Sequence, residues 1–265
     1  MRLLALDFDG VVSDSAPECF VVALRSYAAL HPDSEWIASH VSWLGAGVPA
    51  LAAVRAAAGY DAFVERMPLG NRAEDFGVVL ASLEAAASMP DQASYDAFRD
   101  ARGQAWLDAF HERFYRERDA LCAADPEAWY GLMSPYDALL PVLHRRAESV
   151  RLAIATAKDG PAVARLLERY GLRRLFPTER VMDKETGVHK EAHLRALAAQ
   201  ESLPFEAITF VDDKVNHLDR VAPLGVRCVL AAWGYNGERE ARLARERGYR
   251  VLDLAGFEPA LFPDS

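Results

Sequence analysis

The chain has 265 residues, a formal net charge of −9, 51% hydrophobic and 26% charged residues. That is globular composition, long enough for one large domain or two modest ones and for a core that needs no covalent staples. It excludes a disordered or fibrous chain, and the acidic balance argues against a protein whose main business is gripping nucleic acid.

In chain order, residues 2–6 (RLLAL) predict a short buried strand that stops at Asp7-Phe8-Asp9-Gly10. Residues 15–135 break the strand rhythm. They are rich in alanine, have helical spacing and offer no convincing strand. One long pattern runs from about 92 to 121, with Trp106, Ala109, Phe110 and Phe114 expected along one side. Pro32, Pro49, Pro68, Pro90 and Pro126 punctuate the region. It holds 17 acidic residues against 9 arginines and no lysine, so nearly all the excess negative charge is here. The reading is an all-helical domain over 15–135, inserted after the first strand.

Strands return at 150–155 (VRLAIA), 207–211 (AITFV), 226–231 (VRCVLA) and 249–252 (YRVL). Helical patterns lie between them. In residues 161–170, Val163, Leu166, Leu167 and Tyr170 share one face, with Pro161 suited to the first turn and Gly171 to the position past the end. Strands alternating with helices mean βαβ units. The expected fold class is α/β: a doubly wound, Rossmann-like parallel sheet from residues 1–14 and 136–265, with active groups at the carboxyl ends of the strands. Cys19, Cys122 and Cys228 lie far apart without C-x-x-C spacing and read as small hydrophobes. No run approaches 18 apolar residues and the N-terminal run is too short for a signal peptide, so a cytoplasmic protein without membrane contact is expected.

Asp7 and Asp9 alone read equally well as a solvated turn. A second acid pair, Asp212-Asp213, ends the 207–211 strand, where one Asp could equally cap the next helix. Two parallel strands that both end in paired acids converge on one sheet edge. Four carboxylates there call for a hard divalent cation, and oxygen ligands with room for water and phosphate suit Mg²⁺. Thr156-Ala157-Lys158 follows the 150–155 strand, and Lys190 opens a helical pattern. A hydroxyl and a lysine at such positions bind phosphate.

In this order the residues resemble the haloacid dehalogenase superfamily of phosphotransferases. Asp7-Phe-Asp-Gly-Val-Val-Ser-Asp-Ser15 resembles the family's first motif, Thr156 the second, Lys190 the third, and Val211-Asp-Asp213 the fourth. The resemblance covers residues 1–15 and about 136–235, and it makes the helical insertion an enlarged cap of the first type. It implies that Asp7 attacks phosphorus and that Asp9 protonates the leaving oxygen and then activates water. It implies that Asp7, the carbonyl of Asp9, Asp213 and Asp212 hold Mg²⁺, and that Thr156, Ala157 and Lys190 hold the phosphoryl oxygens. Lys158 and Lys184 compete with Lys190 for that role, which favours Lys190 because it opens a helix. His217 stands where the family often has Asp or Asn. Trp233-Gly-Tyr-Asn236 is read as structural.

The retained Asp9 favours a phosphatase acting on a small phosphorylated metabolite over a dehalogenase. The absence of lysine from the insertion excludes a cap-lysine Schiff base. A sugar phosphomutase and a non-catalytic binding protein on the same scaffold are the alternatives. In this cap type the loop facing the core carries specificity, and Trp43, Gly45 and Gly47 mark the candidate loop.

Overall fold

The computed structural model describes residues 1–40, 47–70, 72–187 and 189–263. Two compact units emerge: Met1–Asp14 with Ser134–Ser265, and Ser15–Met133. The return crossing comes just before Ser134 because Ser134–Pro135 pairs antiparallel with Ser13–Asp14. Neither half of that short pair has an apolar pattern, so composition gave no sign of it.

The first unit is a six-stranded parallel sheet. Its strands are β1 Leu3–Leu6, β2 Arg151–Ala155, β3 Val181–Met182, β4 Ile208–Asp212, β5 Arg227–Ala231 and β6 Arg250–Leu252, in spatial order β3-β2-β1-β4-β5-β6. The sequence pattern missed β3, which has only two residues. A parallel sheet covered by helices is buried on both faces, and its strands therefore read as apolar runs. One face packs Leu3, Ala5, Ala153, Ile208, Phe210 and Leu230 against Leu194, Leu197 and Leu218 of the covering helices. Leu4, Leu6, Leu152 and Ile154 alternate with these and are equally buried.

Chain order runs outward from β1 to β2 and β3, then returns to the other side of β1 at β4. The switch point of an open parallel sheet opens a crevice at the strands' carboxyl ends, and here it falls between β1 and β4. Leu6 is in register with Val211, and Asp7 N–H donates to the Val211 carbonyl at 2.9 Å. Both acid pairs are therefore delivered to that crevice.

The second unit consists of helices and their connections, with no strand among its described residues. Its long elements are Ala16–Leu30, Ala73–Glu84 and Gln104–Ala124. The continuous pattern expected from 92 to 121 is two helices, Gln92–Asp100 and Gln104–Ala124. Gly103 separates them at φ +78°, a conformation that ends a right-handed helix and favours glycine. The buried apolar stripe of the longer helix is Leu107, Phe110, Phe114 and Leu121, whereas Trp106 is half-buried and Ala109 is exposed. Gly77 lets that helix approach: a Cβ there would lie 2.5 Å from the Phe110 ring. Cys19 and Cys228 are buried as expected, while Cys122 is half-buried.

Candidate active site

Asp7 is the residue after β1 and is 6% exposed. Its Oδ1 lies 2.5 Å from Lys190 Nζ and accepts the Phe8 N–H at 2.6 Å. Lys190 is the first residue of the helix Lys190–Glu201. Its ammonium also donates to the Ala155 carbonyl at the end of β2, at 2.6 Å, and lies 3.8 Å from Asp212. One lysine thus ties together the ends of β1, β2 and β4.

Asp9 meets a different lysine. Extended geometry past Leu6 would point Asp7 and Asp9 the same way, but the chain turns at Phe8. The Phe8 carbonyl accepts the N–H groups of Val12 and Ser13, and Gly10 sits at φ +82°. Asp9 consequently faces Lys158, whose Nζ reaches its two carboxylate oxygens at 3.1 and 3.5 Å. Lys158 is positioned from below: its N–H donates to Thr156 Oγ1 at 3.1 Å, and Thr156 N–H donates to the Met182 carbonyl at 2.9 Å. Thr156 is buried and Ala157 is exposed. Lys184 is exposed, and its backbone N–H donates to the Lys158 carbonyl at 3.3 Å.

Asp212 and Asp213 are both buried but are held differently. Asp212 accepts the Lys214 N–H at 2.9 Å and the His217 imidazole at 3.1 Å on each oxygen. Asp213 Oδ2 accepts the Tyr235 N–H at 2.9 Å, and Asn236 Nδ2 donates to the Asp213 carbonyl at 3.1 Å. The segment 233–236 is therefore the holder of Asp213. Sequence order gave a hint, since it follows β5, the strand next to β4. Backbone approach there is close: a Cβ on Gly10 would lie 2.4 Å from Asp213 Oδ2, and one on Gly234 would lie 2.3 Å from the Gly10 carbonyl.

The electrostatics follow from crowding acids in a buried place. Burial pushes the Asp7 carboxyl up to about 6, with Lys190 opposing and Asp212 adding to the shift. Burial and the neighbouring Asp212 push Asp213 well above the carboxylate range. Burial acts the same way on Asp212, but His217 and Lys190 outweigh it and hold that carboxyl low. Burial works against the charge on Lys190, yet Asp7 and Asp212 hold its pKa above the usual lysine value.

Two observations bear on a metal. Asp213 Oδ1 is buried and has no hydrogen-bond partner among the described residues, so a cation is the kind of partner it lacks. Ligand atoms of Asp7, Asp212 and His217 lie within 4.8 Å of one another. The oxygen-rich donor set fits a hard divalent cation. An imidazole is a poorer partner for Mg²⁺, and its bonds to both Asp212 oxygens mark His217 as that carboxylate's orienting group. Of the residues expected to set specificity, Trp43 and Gly45 lie outside the described residues; Gly47 is an exposed turn glycine at φ +88°.

No family model matches the chain. A 109-residue stretch is 31% identical to the tyrosine-protein kinases PtkA of Mycobacterium tuberculosis and Mycobacterium bovis. That stretch is 40% of this chain and 37% of theirs, so the similarity spans little more than a third of those relatives. Solved structures align over nearly the whole chain at low identity. A haloacid dehalogenase-like hydrolase of Streptococcus pneumoniae covers 98% of each chain at 13% identity and TM-score 0.61. A protein of Haemophilus somnus described as a predicted phosphoglycolate phosphatase covers 98% of each at 18% identity and TM-score 0.61. A hydrolase of this family from Deinococcus radiodurans, with phosphate and sodium bound, covers 98% of this chain and 95% of its own at 17% identity and TM-score 0.54. The parallel sheet, the helical insertion after its first strand and these alignments together make this a chain of the haloacid dehalogenase fold.

Proposed function

We infer that the protein is a Mg²⁺-dependent phosphatase that hydrolyses a small phosphomonoester through an aspartyl-phosphate on Asp7. The observation that carries the reading is the crevice between β1 and β4, where Asp7 and Asp9 each meet their own lysine beside the buried Asp212-Asp213 pair. Phosphoryl transfer needs positioning and charge neutralisation more than elaborate covalent machinery. Asp7, the Asp9 carbonyl, Asp213 and Asp212 would hold the cation, which when bound neutralises phosphoryl charge.

In the first half-reaction an Asp7 oxygen bonds to phosphorus as the ester oxygen leaves, taking a proton from Asp9. In the second, Asp9 takes a proton from water, whose oxygen bonds to phosphorus as the Asp7–phosphorus bond breaks. Thr156, the Ala157 backbone and Lys190 hold the phosphoryl oxygens. Lys190 already sits on Asp7, so it can follow the charge as it moves from carboxylate to phosphoryl group. The helical unit would act as the cap that excludes water, with the loop that contains Trp43, Gly45 and Gly47 contributing selectivity. A small phosphorylated metabolite is the expected substrate; phosphoglycolate, named for one structural neighbour, belongs in the first panel.

The relatives named tyrosine-protein kinases favour a second reading, in which the phosphoryl group moves to or from a tyrosyl hydroxyl. The test is Mg²⁺-dependent phosphate release from p-nitrophenyl phosphate and a panel of phosphomonoesters that includes a phosphotyrosyl peptide. Asp7→Asn and Asp9→Asn run beside the wild type, with ATP and a tyrosyl peptide as a separate arm. Turnover that both variants lose supports the phosphatase. Labelling of the tyrosyl peptide from ATP, without phosphate release from any ester, overturns it in favour of a kinase.

A further inference from the structure

The two ends of the sheet differ in charge. The carboxyl end gathers Asp7, Asp9, Asp212 and Asp213. At the amino end lies a cavity of about 430 Å³, lined by Arg146, Thr209, Arg227, Val229, Arg250 and Phe262 among others. That volume is in the range of small-molecule sites. Register brings the lining together: Thr209 pairs with Arg227 across β4 and β5, and Val229 with Arg250 across β5 and β6.

The polar groups there are not spent on one another. Glu258 is shared between Arg145 and Arg146, and among the described residues no other carboxylate pairs with Arg227 or Arg250. Among the described residues Arg250 donates only to the Ala260 carbonyl, from one nitrogen at 2.9 Å. The Arg227 side chain has no hydrogen-bond or ion-pair partner among the described residues. Thr209 is 2% exposed, and its hydroxyl likewise has no hydrogen-bond partner among them. It occupies a sheet position whose equivalents on β1 and β2, Leu4 and Leu152, are leucines. A leucine there would pack, whereas the threonine puts a hydroxyl on the cavity lining, open to whatever fills the cavity. The Arg146 guanidinium lies 4.9 Å from the Phe262 ring, which holds an apolar wall beside the charges.

We propose that this cavity binds a small organic phosphate. Arg227, Arg250 and the Thr209 hydroxyl hold the dianion, and Val229 and Phe262 meet its apolar body. Two guanidinium groups without an acidic partner among the described residues match the two charges of a phosphomonoester, and guanidinium geometry suits its oxygens. The site stands at the opposite end of β4 from the acid pair, so it is separate from the crevice and does not depend on what that crevice does.

Phenylphosphonate is a suitable probe because its carbon–phosphorus bond is not an ester that the crevice could hydrolyse. With the full chain in EDTA, phenylphosphonate is titrated while backbone amide signals are followed by NMR. The expected result is saturable shifts at Thr209, Arg227, Val229 and Arg250. The double variant Arg227→Gln/Arg250→Gln weakens that binding at least tenfold and leaves any shifts at Asp7 and Thr156 unchanged. Thr209→Val weakens it with the charge retained, which separates a built site from general attraction to arginine. Both variants change side chains outside the crevice, and thermal melting matched to wild type shows that they fold. No saturable shift at the amino end, or equal binding by the double variant, overturns the proposal. So does a response to a duplex oligonucleotide but not to phenylphosphonate, which would make the patch a polyanion surface.

Discussion

Lys158 Nζ donates to both carboxylate oxygens of Asp9, at 3.1 and 3.5 Å, while Lys190 holds Asp7 at 2.5 Å. Two adjacent acids with different proposed roles are thus steered by two different lysines. The Lys158 side chain is 7% exposed against 35% for Asp9, so the lysine is the fixed partner.

If Lys158 positions Asp9 rather than binding phosphate, its loss acts on the chemical step. Lys158→Met is expected to lower kcat about tenfold with KM changed less than about twofold, the pattern of an interaction that matters in the transition state. Lys158→Arg keeps a cation at Asp9 and should recover part of the loss. Steady-state kinetics on a phosphomonoester decides it. A raised KM with kcat unchanged would move Lys158 to phosphate binding, the role that the sequence left open among three lysines.

The Asp7 carboxyl gives the metal-free protein a predictable pH dependence. The folded protein keeps the Asp7 proton up to about pH 6, whereas such a carboxyl ordinarily releases it near 3.8. Between those values the folded state binds more protons than the unfolded chain. Stability contributed by Asp7 is therefore full below the lower value and lost as pH rises through the upper one. Asp212, held low, acts in the opposite sense at more acid pH. Asp7→Asn should raise metal-free stability at neutral pH by about 1–3 kcal/mol and flatten the slope from pH 4 to 6. Mg²⁺ should raise the wild-type Tm and leave that of Asp7→Asn nearly unchanged. Thermal melts in EDTA and in excess Mg²⁺, across that pH range, check both statements.

Much of this arrangement was legible because it is local in sequence. Apolar runs that end in acids give both the strands and the residues at their tips, and Lys190 opens its helix as its spacing implied. What was not legible depends on pairing across the sheet. The two-residue β3 carries no pattern of its own. Asp9 points to Lys158 because of the turn from Phe8 to Ser13, whose geometry rests on Gly10. His217 meets Asp212 because it lies one helical turn beyond the strand end. The partners of Asp213 come from residues 235–236, delivered by the neighbouring strand.

Gly10 has two reasons to be glycine, and they can be separated. Its φ of +82° costs a side chain about 1–2 kcal/mol. A Cβ would also lie 2.4 Å from Asp213 Oδ2 and force that carboxylate to move. Gly171 shares the conformation at φ +71° with nothing within 4 Å of a would-be Cβ. Gly171→Ala should therefore show the backbone cost alone in urea unfolding. Gly10→Ala should cost more and should also weaken Mg²⁺-dependent stabilisation, which Gly171→Ala leaves intact. Equal effects of the two on Mg²⁺ stabilisation would disconnect Gly10 from Asp213.

The helical unit contains a buried charge whose removal has a definite expected cost. Glu18 is fully buried and accepts two bonds from Arg118, at 2.8 and 2.7 Å, and one from Trp129 Nε1 at 3.3 Å. Breaking such a pair from one side strands the other charge, which typically costs about 3–5 kcal/mol. Glu18→Gln should therefore destabilise strongly although it preserves shape. Replacing both partners with apolar residues, Glu18→Leu/Arg118→Leu, should cost much less than the two single changes together, because no orphaned charge remains. Urea unfolding followed by Trp fluorescence and by circular dichroism reads both, and divergence of the two signals would show the helical unit unfolding separately from the sheet. If Glu18→Gln proves as stable as wild type, Arg118 must find another acceptor in the helical unit, and the pair is not what secures the first helix to the long one.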